Sequence, residues 1–266
     1  MIKLVAADMD GTLLNSKKEL SPKLFPTIER LHENKIKFAV ASGRQYYNLL
    51  NIYDELKDEV TFIAENGAIV FDKGENIFYD EMSKEDIINI LKAVSKIENA
   101  YPVLCGLNSA YIQGNVSDEF ERHVDMYYSR CERVPDLFEA INRDHICKVA
   151  IYDSINAETN TYPLLKSFIE THKVSISGHE WVDLMNPTVN KGVAINLIRE
   201  KYGIGFDETM AFGDYLNDYE MMGSCHHSYA MANAHPLLKE VANFEAPSND
   251  DDGVVVVLES YLESIK

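Results

Sequence analysis

The chain has 266 residues, 46% of them hydrophobic and 26% charged. That usage excludes collagen-like, disordered and small disulfide-stapled proteins and leaves room for one large α/β domain or two smaller units. Asp and Glu outnumber Lys and Arg by 43 to 25, and the resulting charge of −18 speaks against nucleic acid or an anionic membrane as partner.

The run 2–7 is apolar and stops at Asp8-Met9-Asp10-Gly11-Thr12, the pattern of a buried parallel strand. Ser21-Pro22 marks a helix start, with Leu24, Ile28 and Leu31 at helical spacing. A strand over 38–41 ends at Ser42-Gly43-Arg44. A helix carrying Tyr47, Leu50, Tyr53 and Leu56 follows, then a strand over 61–64 ending at Glu65-Asn66-Gly67-Ala68. Strand and helix alternate as in a parallel sheet wound by right-handed crossovers. The pattern then changes. Three hairpins are predicted, with turns at 72–75, 106–109 and 178–180, together with helices from Ser83 and over 162–171 and a strand over 145–152. Strand–helix units resume at Lys191-Gly192, so this α+β module is expected to be an insertion. A strand over 209–212 ends at Gly213-Asp214 and a helix over 215–222 follows. Short strands over 228–231 and 243–246 and a closing helix over 253–265 complete the reading. The predicted domains are a core of 1–83 plus 187–266 and an inserted module of 84–186.

No apolar run reaches membrane-spanning length, and the first ten residues lack a signal-peptide pattern. Cys105, Cys131, Cys147 and Cys225 are scattered without a Cys-x-x-Cys pair, so a soluble protein of a reducing, cytoplasmic compartment is expected.

Ligands of such folds bind beyond the carboxyl ends of the parallel strands, where the polar signatures fall. Asp8 and Asp10 sit two positions apart, so both carboxylates can address one small region. Paired carboxylates hold a hard cation, divide nucleophile and acid roles, or cap a helix. Capping explains one Asp, not two followed by Gly-Thr. Ser42-Gly43-Arg44 offers a hydroxyl, N–H groups and a helix start, a seat for phosphate, although taken alone it reads by default as a plain cap. Arg44 also suits a surface ion pair. Lys191 alone reads as a solvated lysine. Asp214 and Asp218 repeat the acidic character of the first signature.

Together, 8–12, 42–44, 191–192 and 213–218 resemble the motifs of the haloacid dehalogenase superfamily of phosphohydrolases, within it the Cof-type branch, subclass IIB, whose cap is inserted after the third core strand. Asn66-Gly67-Ala68 matches that branch too, while 183–190 departs from its usual pattern. The resemblance implies an α/β, Rossmann-like parallel-sheet core with an inserted α+β cap that closes over the crevice. It implies Asp8 as the nucleophile that forms a phosphoaspartate and Asp10 as acid and then base. Mg2+ would sit on Asp8, the Asp10 backbone carbonyl and Asp214, supported by Asp218. Met9, Thr12, Ser42, Gly43, Lys191 and Asn217 would hold the phosphoryl group, and Arg44, Asn66 and Gly67 would meet the substrate. In the cap, Tyr111, Glu180 and Trp181 suit sugar hydroxyls and rings, and equally suit internal packing. The expected activity is Mg2+-dependent hydrolysis of small phosphorylated metabolites, sugar phosphates first, by a monomer or small homo-oligomer. The alternatives are a phosphomutase of the same superfamily and a non-catalytic phosphoacceptor or ligand sensor. Asp10 and the insertion have no evident purpose in a simple switch.

Overall fold

The apolar run before Asp8 forms β1 (Leu4–Asp8), buried at every position, as a strand paired on both edges and covered on both faces must be. A computed structural model describes residues 1–114, 116–177 and 179–266. After β1 come α1 (Leu24–Glu33), β2 (Lys37–Ala41), α2 (Tyr46–Ile52), β3 (Val60–Ala64), β4 (Ile69–Asp72) and β5 (Glu75–Tyr79). The next stretch holds α3 (Lys84–Val94), β6 (Ala100–Gly106), β7 (Ala110–Gln113), α4 (Asp118–Tyr127), β8 (Cys131–Val134), α5 (Leu137–Ala140), β9 (Ile146–Asp153), α6 (Tyr162–Leu164), β10 (Lys173–Ile176) and β11 (Trp181–Met185). The chain ends with α7 (Lys191–Tyr202), β12 (Thr209–Gly213), α8 (Tyr219–Met222), β13 (His227–Met231), α9 (Pro236–Val241), β14 (Phe244–Ala246) and α10 (Gly253–Ser264).

The strands form two sheets, ordered β14-β13-β12-β1-β2-β3-β4-β5 and β10-β11-β9-β6-β7-β8. In the first, β14 through β3 are parallel and β4 turns back along β3. The β4–β5 turn is Lys73-Gly74, both at positive φ, the geometry of a tight hairpin. Because β1, β2, β3 and β12 run the same way side by side, their carboxyl ends share one edge. The second sheet is mixed, mainly antiparallel, with β8 parallel to β7. Ile87, Ile90, Leu91 and Val94 of α3 pack with Leu104, Val149, Ile151, Val182 and Leu184 of that sheet. The fold is α/β, a mostly parallel core with a separate mixed-sheet module inserted after β5. Two compact units result: Met1–Ser42 with Tyr53–Phe78 and Asn190–Lys266, and Gly43–Ile52 with Tyr79–Val189.

The structure departs from the sequence reading in places. Helix α1 begins at Leu24, because the Ser21 hydroxyl accepts the Lys23 N–H at 3.3 Å and closes a turn ahead of the helix. The helix expected over 162–171 is preceded by a π turn at Ala157–Thr161 and is broken into the three residues of α6 and a 3-10 turn at Lys166–Phe168. Pro163 fits only a first turn, and Leu165 leaves helical geometry at φ −99°, ψ 6°. A 3-10 turn, Leu216–Asp218, precedes α8. Strand β8 was not foreseen, since Glu132 and Arg133 lie exposed on an edge without the expected alternation. Helix α4 was not foreseen either, although Ser117 caps it by accepting the Phe120 N–H at 3.3 Å. No helix among the described residues is long and apolar enough to cross a membrane.

Candidate active site

Asp8 closes β1 with 4% of its surface exposed. Asp214 follows the last residue of the neighbouring β12. Lys191 is the first residue of α7, whose start is fixed by Asn190 accepting the Val193 N–H at 2.8 Å. Its side chain is wholly buried, and Nζ donates to Asp8 Oδ1 at 2.5 Å and Asp218 Oδ1 at 2.7 Å. The other Asp218 oxygen accepts the N–H groups of Asp214 and Tyr215 at 3.0 and 3.2 Å. The Thr12 hydroxyl donates to Asp214 Oδ1 at 3.2 Å.

One oxygen each of Asp8, Asp214 and Asp218 lies within 4.8 Å of the others. Burial pushes Asp8 well above the usual carboxylate range, aided by the charges of Asp218 and Asp214 and opposed by Lys191. Burial, then Asp218, pushes Asp214 up to about 7. Burial also disfavours the Lys191 charge, yet Asp218 and Asp8 hold its pKa above the ordinary lysine value. Crowded oxygen donors with a surplus of negative charge are what a hard divalent cation takes. The residues present therefore fit a bound cation.

Gly11 is required by space as well as by its φ of 85°. A β-carbon there would fall 2.2 Å from Asp214 Oδ2. Ser42, buried at the end of β2, accepts the Asn66 N–H at 2.9 Å through its carbonyl. Asn66 is buried at φ 57° between Glu65 and Gly67, both also at positive φ, and its Oδ1 accepts from Asn217 Nδ2 at 3.3 Å. At Gly67 a β-carbon would meet the Asn190 carbonyl oxygen at 2.4 Å. That backbone cannot retreat, so the turn bearing Asn66 packs directly against the residue before Lys191.

The structure thus gathers Asp8, Thr12, Lys191, Asp214 and Asp218 by direct bonds and links Ser42, Asn66 and Asn217 to one another. The Asp10 carboxylate is turned to the Lys18 ammonium at 3.0 Å and stands outside the cluster of three. The Met9 side chain is buried against Tyr53, whose hydroxyl lies 3.7 Å from its sulfur, so only its backbone could serve a phosphate. Gly43 and Arg44 belong to the second unit. There the Gly43 carbonyl accepts from Lys148 at 3.2 Å, and Arg44 donates to Asn48 at 3.1 Å. Tyr111 is a buried packing residue whose hydroxyl donates to Asp144 at 3.1 Å. Trp181 is buried among Tyr127, Tyr128 and Tyr152, and its indole N–H has no hydrogen-bond acceptor among the described residues. Glu180 lies 3.5 Å from His179. Sequence reasoning missed Lys18 and Lys148, lysines in no motif.

Known proteins resemble this chain in sequence and fold. A family profile described as haloacid dehalogenase-like hydrolase matches residues 5–258. A 5-amino-6-(5-phospho-D-ribitylamino)uracil phosphatase of Escherichia coli is 33% identical over 264 residues, covering 98% of this chain and 97% of the relative. A solved structure from Streptococcus mutans superposes with a TM-score of 0.88 at 29% identity, over 99% of this chain and 100% of its own. A subclass IIB sugar phosphatase shares the fold, with a TM-score of 0.81 at 22% identity over 97% and 98% of the two chains.

Proposed function

The chain belongs to the haloacid dehalogenase-like hydrolases as a subclass IIB phosphatase of phosphorylated metabolites, and from that premise we propose Mg2+-dependent hydrolysis of small sugar or polyol phosphates through a phosphoaspartate on Asp8. One observation carries the reading: the buried Asp8 carboxylate, held by a buried lysine at 2.5 Å, lies with Asp214 and Asp218 in a cluster whose oxygens are all within 4.8 Å of one another. Asp8, Asp214 and the Asp10 backbone carbonyl would hold Mg2+. When bound, that ion offsets the repulsion between carboxylate and phosphate.

The side chains supply the rest. An Asp8 oxygen bonds to phosphorus as the bond from phosphorus to the leaving oxygen breaks, and Asp10 gives that oxygen a proton. Water then attacks the phosphorus of the acyl phosphate, and Asp10 takes its proton. Phosphate departs and Asp8 is restored. Lys191, the Ser42 hydroxyl, the N–H groups of Met9, Thr12 and Gly43, and the Asn217 amide hold the phosphoryl oxygens, with charge stabilised most where it develops. Asp218 orients Lys191 and the Asp214 loop. By the resemblance Arg44, Asn66 and Gly67 would meet the remainder of the substrate, and 84–186 would set specificity. The Escherichia coli relative is named for a ribityl phosphate, a primary phosphate on a hydroxylated chain. Sugar phosphates present the same group.

The leaving group separates the two aspartates of the first loop. Asp8→Asn should abolish turnover on every substrate. Asp10→Asn should slow a hexose phosphate severely, because an alkoxide needs the proton, whereas nitrophenolate departs largely unaided. With nitrophenyl phosphate this variant should release a burst of nitrophenol near the enzyme concentration and then stall as phosphoaspartate. Rapid quench with mass spectrometry reads both. Equal slowing on the two substrates, with no burst and no covalent phosphate, removes Asp10 from acid–base chemistry.

A further inference from the structure

The loop after β1 is tied down by three residues that no catalytic motif contains. Asn233 Nδ2 donates to the Gly11 carbonyl at 2.8 Å. Its Oδ1 accepts the Asn249 N–H at 3.1 Å, so both ends of the amide are committed. Asn249 Nδ2 donates to the Leu14 carbonyl at 2.9 Å, and Asp250 Oδ1 accepts the Ser16 N–H at 2.7 Å. Two loops, one after β13 and one before α10, thus grip the backbone from Gly11 to Ser16.

The grip on Gly11 has a specific consequence. A peptide unit is planar, so its C=O and the following N–H point in opposite directions. Pinning the Gly11 carbonyl outward on Asn233 aims the Thr12 N–H the other way. The Leu13 and Leu14 N–H groups fold back onto the carbonyls of Asp8 and Met9, whereas the Thr12 N–H has no acceptor among the described residues. Thr12 is buried, and its hydroxyl is already spent on Asp214. Gly11, at φ 85°, is wedged against Asp214 and has the rotational freedom that an external tether would remove.

We infer that Asn233 is a positioning residue: through the Gly11 carbonyl it holds the Thr12 N–H as a donor to the phosphoryl group in flight, with Asn249 orienting its amide. This rests on the phosphatase reading above. Preset donors stabilise transferred charge better than mobile ones, and losing one ordinary hydrogen bond corresponds to roughly a tenfold change in rate.

The test compares wild type with Asn233→Ala, Asn233→Asp and the control Asn243→Ala. Asn243 also donates its amide to a backbone carbonyl, that of His226 at 2.7 Å, but at the amino-terminal end of β13. Three quantities are measured in Mg2+: kcat and KM on nitrophenyl phosphate, the calorimetric Kd of orthovanadate, and the thermal midpoint. Asn233→Ala should lose about tenfold in kcat and in vanadate affinity, with KM within about twofold. Asn233→Asp keeps the acceptor for Asn249 but turns an oxygen on the Gly11 carbonyl, so it should be impaired at least as much. Asn243→Ala should match wild type in kcat and Kd. An active Asn233→Asp, or unchanged vanadate affinity in a folded Asn233→Ala, overturns the inference. Wild type that binds vanadate yet hydrolyses no phosphate ester defeats the phosphatase reading instead, and the variants' vanadate affinities still decide the positioning role. Wild type that does neither overturns both.

Discussion

Lys191 spends its whole side chain between two carboxylates, where an apolar replacement of similar length would leave Asp8 and Asp218 without the ammonium between them. Lys191→Met should therefore cost roughly a hundredfold or more in kcat, measured on nitrophenyl phosphate with circular dichroism to verify folding. A folded variant within about tenfold of wild type would show that the ammonium is not needed in the transition state. In the sequence this lysine looks like any solvated one at a helix start. Only the company of the acidic and Ser-Gly motifs made it legible. Asn233 and Lys18 had no such company, because what defines them is a contact with a loop made far away in the chain, and a single polar residue in a turn carries no period to read. The Asp10 carboxylate's turn towards Lys18 was invisible for the same reason.

At the scale of elements, the end of the sheet that carries the acid cluster is matched by a second polar cluster at the opposite edge. Asp72, ending β4, accepts from Thr61 of β3 at 2.6 Å, from Lys37 of β2 at 3.3 Å and from the Tyr202 hydroxyl at the end of α7. Helix α7 is thereby fixed at its carboxyl end while Lys191 occupies its amino end. Burial opposes the Asp72 charge, but Thr61, Tyr202 and Lys37 hold its carboxyl below the usual range. A carboxylate lowered on folding stabilises fully at neutral pH, and its contribution is lost as pH falls through the lowered value. Asp72→Asn should destabilise by about 1–3 kcal/mol near neutrality. Thermal midpoints of variant and wild type should converge in acid, below the ordinary carboxylate range; a constant gap across pH would refute the charge argument. The strands that carry the site were readable because buried parallel strands are short apolar runs with abrupt polar ends. Strand β8 and the broken α6 were not, since an exposed edge strand loses its alternation and one proline interrupts an otherwise helical stretch.

For the whole molecule, the cation reading makes a thermodynamic demand. Asp8 and Asp214 come together only in the folded first unit, so an ion bound there stabilises the native state alone. The thermal midpoint should rise with the logarithm of Mg2+ concentration, by an amount equivalent to about 2.7 kcal/mol at a hundredfold excess over Kd. The rise should vanish in Asp214→Ala, and turnover should stop in excess chelator and return with Mg2+. A midpoint indifferent to Mg2+ in wild type would refute the cation site.

The order of strands also sets a timetable. On one side β1 pairs with β2, made early, but on the other Val5 pairs with Met210 and Ala7 with Phe212. During synthesis the inserted module is complete before that partner strand exists, so a nascent chain carries β1 with one apolar edge bare. Domains tend to fold as they emerge, and here the first strand must wait for nearly the last. The delay means that a chain ending before Asp214 lacks two of the three members of the acid cluster. It also means that the ribosome-bound intermediate is the state most exposed to sticking to its neighbours on a polysome.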